Sequence, residues 1–378
     1  MHTNKKVVFR VNNNLKVGGI TRRLEQLLPL LLDDFEVHVV TYKTEGILAP
    51  KLREAGIHVH HVPIKGKWSP KGIMRLAGLF REHKADIVHT HSFGANISGI
   101  LAASLAKVPV RIGQVHVRQQ HWYGSTALRR KKQQMEEYFV HSLFSHKVLF
   151  PSHAALSYFS AHCPVSAEKL FVLHNGVRVP AVSSDEAASA KKRICEQYAI
   201  PQNAKIIGFV SRLSSGKGAE FILSFMERLH KEHPEYRLII VGSSNNAEAD
   251  AQLARRAASI GQGVVHFAGE QADPHPYYEA FDYFFFASES WSDALPGTVL
   301  EAAFHGLPIL SRDNDTAREI AEYYPGIHFM ADDDEPARAI AALEALPPAD
   351  TVRLKENFSI QAMAEKTKKL YSELLQKE

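Results

Sequence analysis

The sequence has little cysteine and no long apolar run, and both absences exclude classes of protein. Its 378 residues include two cysteines, Cys163 and Cys195, which lie far apart and form no CxxC pair. Neither a disulfide framework nor a cysteine zinc site is indicated, and a reducing compartment fits. No apolar run approaches the roughly 18 residues of a membrane span, and the short run Val7–Phe9 cannot serve as a signal-peptide core. We therefore expect a cytoplasmic chain without a membrane-spanning anchor.

Charge is distributed unevenly, although its net value is only +4. Residues 1–178 contain 25 Lys/Arg and 11 Asp/Glu, whereas residues 179–378 contain 20 Lys/Arg and 30 Asp/Glu. Such an asymmetry favours an anionic partner for the first half. The alternative is that the charges serve solubility and attraction between the two halves.

Short apolar runs alternate with amphipathic stretches, which predicts βαβ units, parallel sheets and an α/β fold. A segment of linker composition, Val179–Glu186, separates two such series. We therefore predict two domains, at residues 1–178 and 179–359, followed by a docking helix within residues 360–378.

Glycines and polar residues that follow the strands are candidates for ligand binding, because ligands of open α/β sheets bind beyond the C-terminal strand ends. Gly18 and Gly19 follow the first strand and open a helix, where a phosphate can approach closely; a simple turn is the alternative. The spacing is not GxGxxG, and no acidic residue ends the second strand, which argues against a dinucleotide.

The loop Arg212–Gly218 carries two cations in the same position of the second half. Arg212 and Lys217 suit a diphosphate, because Arg binds two oxygens at once and Lys adds a point charge. A solvated loop is the alternative, and the P-loop spacing is absent.

The segment Asp293–Glu301 is the most specific one, with a carboxylate before a Pro-Gly loop and a second carboxylate on the helix that follows. Asp293 can accept hydrogen bonds from sugar hydroxyls, and Glu301 can bind a ribose diol. Free N–H groups at the helix start can hold phosphate oxygens, namely those of Gly297, Thr298 and Val299. An acidic helix start with a surface glutamate is the alternative.

Histidines are numerous, but we predict no metal site. His91 and His116 follow strands and are expected to point into the cleft of the first half, where a lone histidine is more often structural than catalytic. His58 and His60 would share one face of a strand and His61 the other, so we interpret this triple as surface residues.

Two basic segments contain aromatic residues, a composition that suits an anionic membrane surface. One segment carries Lys67 and Trp68, and the other carries Arg118, Trp122, Arg129, Arg130, Lys131 and Lys132. No nucleic-acid-binding signature accompanies them, so we expect no nucleic acid. A solvated helix face is the alternative for each segment.

The motifs occur in an order that resembles glycosyltransferase family 4, a retaining, nucleotide-sugar-dependent family with the GT-B fold. The resemblance covers nearly the whole chain and rests on Gly18-Gly19, Asp86–His91, His116, His174–Val177, Gly208–Leu213 with Lys217-Gly218, Phe267–Gly269 and Asp293–Glu301. It implies two Rossmann-like domains whose parallel sheets face each other across a cleft. The first domain would bind acceptor, the second would bind the nucleotide-sugar, and the last helix would pack back on the first.

The resemblance also assigns roles. Arg212 and Lys217 would hold the donor diphosphate and stabilise the leaving group, with Gly18 and Gly19 approaching it from the other domain and Gly269 in the donor site. His116 would touch the transferred sugar, Glu301 the ribose and Asp293 the sugar hydroxyls. The family usually has Glu at the position of Asp293, and Arg178 stands where an acidic residue is common.

The implied reaction is a front-face displacement in which the leaving phosphate takes the acceptor proton, with no metal or cofactor. We expect a UDP-sugar rather than a GDP-sugar as donor, and a lipid-linked or phosphorylated glycan as acceptor in polysaccharide or lipopolysaccharide synthesis. The protein would be cytoplasmic or peripheral on the inner face of the cytoplasmic membrane. The alternatives are an inactive nucleotide-sugar-binding partner of another transferase and a nucleotide-sugar epimerase of the same fold.

Overall fold

The computed structural model describes residues 5–16, 18–116, 126–347 and 350–377. Its contacts divide the chain into two compact units. Unit 1 comprises Met1–Gly176 and Asn357–Glu378, and unit 2 comprises Val177–Glu356. Each unit contains a parallel sheet with helices packed against it, which confirms the predicted α/β class with two Rossmann-like domains.

The sheet of unit 1 has the strand order β3-β2-β1-β4-β5-β6-β7 among the described residues. Its strands are β1 (Lys6–Asn12), β2 (Phe35–Thr41), β3 (His58–His61), β4 (Ile87–His91), β5 (Val110–Gln114), β6 (Lys147–Phe150) and β7 (Leu170–Val172). The helices that follow them include α1 (Gly19–Leu27), α2 (Ala49–Glu54), α3 (Pro70–Glu82), α4 (Phe93–Leu105), α5 (Ala127–Phe144) and α6 (His153–His162). The central strands β1 and β4 are buried on both faces because helices cover both sides of a parallel sheet.

The sheet of unit 2 has the order β10-β9-β8-β11-β12-β13 among the described residues. Its strands are β8 (Lys205–Val210), β9 (Tyr236–Val241), β10 (Val265–Gly269), β11 (Tyr283–Phe286), β12 (Ile309–Arg312) and β13 (Ile327–Met330). The helices that accompany the second half of the chain are α7 (Ser184–Tyr198), α8 (Ala219–Glu232), α9 (Ala247–Ala258), α10 (His275–Ala280), α11 (Gly297–Phe304), α12 (Asp315–Ala321), α13 (Pro336–Glu344) and α14 (Val352–Phe358).

The last helix, α15 (Ile360–Leu375), belongs to unit 1. Its Met363, Leu370 and Tyr371 are buried in the same core as Val37 of β2 and Leu24 of α1. A buried side chain of this size contributes about 1.5–3 kcal/mol, so the helix adds substantially to the stability of unit 1. Among the described residues, no helix is both long and apolar enough to cross a bilayer.

Several helices begin where a polar side chain caps them, and one such start lies in the segment that the sequence analysis treated as linker. Ser183 accepts a hydrogen bond from the backbone N–H of Glu186, whose carboxylate accepts one from Ser183 N–H. This capping box starts α7 inside the polar segment, because Ser and Glu satisfy the free N–H groups of the first turn. Similarly, Thr126 caps α5, and the basic residues Arg129, Arg130, Lys131 and Lys132 lie in the first turns of that helix.

Candidate functional site

The loops that follow the strands of unit 2 are bonded to one another at the C-terminal edge of its sheet. Leu213 N–H donates to the carbonyl of Ser243 over 3.1 Å, and Gly242 N–H donates to the carbonyl of Gly269 over 2.8 Å. Glu289 N–H donates to the carbonyl of Gly216 over 2.8 Å. The loops after β8, β9, β10 and β11 thus form one connected surface, which includes the predicted residues Arg212, Lys217, Gly269 and Asp293.

Two glycines fix the loop that carries Lys217. Gly216 and Gly218 both have φ of +81°, which favours glycine. A Cβ atom on Gly218 would lie 2.2 Å from the carbonyl oxygen of Ala287, and one on Gly216 would lie 2.6 Å from the Trp291 ring. The backbone therefore approaches the β11 loop more closely than any other residue type would allow, and Lys217 is held between the two contacts.

Lys217 forms an ion pair with Asp293. Its Nζ donates to Asp293 Oδ1 over 2.5 Å, and both side chains are mostly buried. The other carboxylate oxygen accepts a hydrogen bond from Ser292 Oγ over 3.3 Å. Lysine has three N–H donors, so one can stay on Asp293 while others bind a ligand. Arg212, the second predicted cation, lies exposed on the same loop.

Glu301 is held by a tyrosine that the sequence analysis did not single out. It lies one turn into α11, and its Oε2 accepts a hydrogen bond from Tyr278 OH over 2.9 Å. Tyr278 is fully buried, and burial together with the Glu301 charge raises its pKa well above the usual value. The phenol therefore remains a donor that fixes the carboxylate. Nothing lies within 4 Å of a Cβ built on Gly297, so the start of α11 is open.

A second polar cluster lies inside unit 1, where β1, β4, β5 and α15 meet. Arg10 of β1 is buried; its Nε donates to His91 Nε2 over 2.9 Å and its Nη1 to Tyr371 OH over 2.7 Å. Tyr371 OH also lies 2.7 Å from His89 Nδ1. Arg10 carries no recognisable signal in the sequence, since it is one charged residue within the otherwise apolar run Val7–Val11.

This cluster determines which nitrogen of His116 carries a hydrogen. Because Arg10 donates to His91 Nε2, the hydrogen of a neutral His91 is on Nδ1, which lies 3.0 Å from His116 Nε2. His116 Nε2 accepts that bond, so its own hydrogen is on Nδ1. Burial lowers the pKa of His116 to about 3, and the charges of Arg23 and Arg10 add to the effect. His116 is therefore a neutral hydrogen-bonding group at physiological pH.

Gly18 and Gly19 lie at the start of α1, and Gly18 is its N-cap residue. Nothing lies within 4 Å of a Cβ built on Gly19, and on Gly18 the nearest atom is Thr21 Oγ1 at 3.7 Å. Packing inside unit 1 therefore does not require glycine at either position. Close approach of a ligand remains the predicted reason for the pair.

The two basic segments of the first half meet on helix α5. Glu136 of α5 accepts from Lys67 Nζ over 2.5 Å and from Trp68 Nε1 over 2.9 Å. The first turns of the helix carry Arg129, Arg130, Lys131 and Lys132. The helix also exposes apolar side chains, namely Leu128, Met135, Tyr138, Phe139 and Leu143. Arg118 and Trp122, which the sequence analysis grouped with this segment, lie outside the described residues.

Histidines also converge at the β3 edge of the unit 1 sheet. Of the triple interpreted as surface residues, His58 and His61 are exposed, whereas His60 is half-buried and joins this group. His38, His60 and His83 offer ligand atoms within 4.8 Å of one another. The pattern of residues along one strand cannot predict this convergence, because His38 lies on β2 and His83 at the end of α3.

Comparison with known proteins agrees with this arrangement. The profile of Glycosyltransferase Family 4 matches residues 17–179, and that of glycosyl transferases group 1 matches residues 204–346. The chain is 24% identical over 333 residues to the capsular polysaccharide biosynthesis glycosyltransferase CapH of Staphylococcus aureus, and the match covers 85% of each protein.

Two solved structures share the fold. A glycosyltransferase from Rickettsia africae superposes with a TM-score of 0.80 at 20% identity, over 99% of this chain and 100% of that one. HepE of Anabaena, in complex with UDP and glucose, superposes with a TM-score of 0.78 at 18% identity, over 98% of this chain and 100% of that one.

Proposed function

The chain is a GT-B glycosyltransferase of the family 4 type, and we propose that it transfers a hexose from a UDP-sugar to a glycan acceptor with retention of configuration. The observation that carries the proposal is the Lys217–Asp293 pair, which lies on the connected loops at the C-terminal edge of the unit 2 sheet. CapH is named for capsular polysaccharide biosynthesis, which supports a polysaccharide or lipopolysaccharide product. HepE was solved with UDP, which supports UDP as the nucleotide.

In this proposal the donor binds at the C-terminal edge of the unit 2 sheet. Arg212 and Lys217 donate to the diphosphate, together with the free N–H groups of Gly297, Thr298 and Val299. Glu301, oriented by Tyr278, accepts both hydroxyls of the ribose. Gly269 ends β10 in the left-handed region, with φ of +69°, and forms the wall beside the nucleotide.

Catalysis in this site is electrostatic. The bond between the anomeric carbon and the diphosphate oxygen breaks on the face where the acceptor oxygen bonds, and a leaving phosphate oxygen takes the acceptor proton. Lys217 and Arg212 stabilise the charge that develops on the diphosphate, and each such contact contributes about 2–4 kcal/mol. Asp293 positions Lys217 and accepts from the sugar hydroxyls, and neutral His116 donates its Nδ1 hydrogen to the sugar. No step needs a metal ion.

The acceptor in this proposal is a lipid-linked or phosphorylated glycan at the inner face of the cytoplasmic membrane. Helix α5 combines cations with exposed apolar side chains, which is the composition of helices that lie in an anionic membrane surface. Lys67 is already paired with Glu136, so it adds less charge to this surface than its position in the sequence suggests.

Thermal unfolding with UDP, GDP and their hexose conjugates tests the donor site. A ligand at 100 times its Kd adds about 2.7 kcal/mol of stability. We expect stabilisation by UDP and UDP-hexoses, its loss in Glu301→Gln, and its retention in Glu356→Ala, a change at an exposed glutamate of unit 2. Stabilisation by GDP alone would refute the choice of base, and the absence of any shift would refute the donor site.

Transfer itself is tested with the stabilising UDP-sugar and an extract of lipid-linked glycans. We expect UDP release that depends on the acceptor and a product with the donor's anomeric configuration. Donor turnover without acceptor would instead indicate an epimerase. Donor binding without any turnover would indicate an inactive binding partner.

A further inference from the structure

Four histidines and a glutamate meet at the edge of the unit 1 sheet, and the proposed transfer uses none of them. His38 of β2 stands opposite His58 of the edge strand β3 in the parallel register, and His60 follows two positions later on the same face. His83 directly follows α3, and its ring lies 4.7 Å from that of His38 and 5.2 Å from that of His60. Three separate chain segments therefore bring imidazole rings to one place.

The ring nitrogens are close enough to share one ion. His38, His60 and His83 each offer a nitrogen, and these atoms lie within 4.8 Å of one another. His38 Nδ1 is 2.9 Å from His60 Nε2. Two nitrogens bound to a tetrahedral zinc ion at ~2.0–2.1 Å stand roughly 3.3 Å apart. Tetrahedral ligation requires a rearrangement of the rings of His60 and His83, which are half-buried and not fully enclosed.

Glu36 sets the tautomer that such a site requires. Its Oε1 lies 2.8 Å from His38 Nε2, so the hydrogen of His38 is on Nε2 and the Nδ1 lone pair points toward His60. A carboxylate that accepts the second N–H of a ligating histidine is the usual support of a metal site, because it fixes the ring and raises its basicity.

The chemistry of the donor atoms also limits which metal fits. Imidazole nitrogens bind zinc, nickel or copper, whereas magnesium and calcium prefer oxygen ligands.

We propose that His38, His60 and His83 form a binding site for a divalent transition metal ion of the zinc class, with Glu36 orienting His38. The ion would join β2, the edge strand β3 and the end of α3. It would therefore stabilise the edge of unit 1 and take no part in sugar transfer. The site does not depend on the proposed function.

Isothermal titration of the full-length protein with zinc chloride tests this site, after removal of any affinity tag and dialysis against a chelator. We expect one strong zinc equivalent, no binding of magnesium, and an increase in melting temperature with zinc. His60→Gln and His83→Gln should each weaken zinc binding at least tenfold. His61→Gln is the matched control, because His61 lies on the same strand but on the opposite face, and it should keep wild-type affinity.

Cobalt(II) provides a second measurement, because its visible absorption reports nitrogen ligands in a tetrahedral site. We expect that absorption in the wild type and in His61→Gln but not in His83→Gln, which changes a residue outside the sheet and leaves the strands intact. Zinc binding that is absent from the wild type, or equal in all variants, would overturn the proposal and leave a hydrogen-bonded stack of neutral histidines. UDP binding should be the same in all of these variants, so failure of this site and failure of the donor site are distinguishable.

Discussion

Lys217 Nζ and Asp293 Oδ1 lie 2.5 Å apart, although 76 positions separate the two residues in the chain. Two short loops, one after β8 and one after β11, bring them together at the edge of the sheet. Since both side chains are mostly buried, the pair is less screened than a surface ion pair. The lysine is therefore in place before any ligand binds, and little reorganisation is needed when charge develops on a leaving diphosphate.

Replacing Lys217 by Ala should slow transfer far more than it weakens donor binding. We expect kcat to fall about 10²–10³-fold, because the charge that Lys217 neutralises grows in the transition state. KM should change less than tenfold. Steady-state kinetics with the UDP-sugar identified by thermal unfolding will measure both constants.

The matched control is Lys231→Ala, which removes an exposed lysine from α8 of the same unit and should leave both constants unchanged. If Lys217→Ala raised KM with kcat intact, Lys217 would bind ground state and transition state equally. Its assignment to the leaving group would then be wrong.

Removing the phenol oxygen of Tyr278 should loosen the ribose contact without changing the chemistry. Tyr278→Phe deletes the bond to Glu301 Oε2, so the carboxylate loses its orientation. We expect the Kd of UDP to rise about ten- to 150-fold, the loss of about 1.5–3 kcal/mol for a hydrogen bond to a charged group. Titration calorimetry gives this number directly, and Tyr277→Phe on the same helix is the control. An unchanged Kd in Tyr278→Phe would mean that Glu301 does not contact the ribose through this arrangement.

The fold could be predicted from the sequence because a parallel sheet produces a strong local signal. Apolar strands such as β1 and β8 are buried on both faces, so their runs of Val, Ile and Phe indicate them without tertiary information. The loop glycines and the Asp293–Glu301 segment could be found because their spacing is local. The start of α7 was missed because its capping residues, Ser183 and Glu186, also have the composition of a linker.

Partners that are distant in sequence could not be predicted. Arg10 and Tyr371 are 361 positions apart, and nothing in either segment indicates that a buried arginine would meet a phenol there. The same holds for Tyr278 and Glu301, and for His38 with His83. In each case the sequence gives the residue type, whereas the order of the strands and the packing of the helices determine which residues meet.

Histidines whose pKa is held low in the folded state should make the protein sensitive to mild acid. The pKa values of His116 and His141 are lowered to about 3 by burial, against about 6.5 for an unfolded histidine. Below pH 6.5 these histidines are protonated in the unfolded chain but stay neutral in the folded chain. Their contribution to the free energy of unfolding is therefore fully present above pH 6.5 and is lost as the pH falls toward 3. Each such residue contributes a slope of about 1.4 kcal/mol per pH unit in that range.

Chemical denaturation between pH 7 and pH 5 measures this slope while most carboxylates stay ionised. His116→Asn should reduce the slope by about one proton, whereas the exposed His61→Asn should not. Equal slopes in the wild type and in His116→Asn would show that His116 takes up a proton in the folded state, which would contradict its neutral role in the site.

Helix α5 should bind anionic vesicles through charge and apolar contact together. Leu128, Met135, Phe139 and Leu143 recur every four to seven positions and so share one exposed face. A lysine near an anionic surface contributes about 1 kcal/mol, so Lys131→Glu with Lys132→Glu should reduce partitioning at least tenfold. Lys192→Glu with Lys355→Glu makes the same charge change at exposed sites elsewhere and should reduce partitioning much less.

Apolar contact should contribute separately from charge. Leu128→Ser with Leu143→Ser should weaken vesicle binding even at low salt, because apolar burial is not screened by salt. Cosedimentation with phosphatidylglycerol vesicles measures each case, and phosphatidylcholine vesicles give the uncharged reference. A wild type that stays in the supernatant at low salt would exclude the membrane surface, and the acceptor would then be a free glycan.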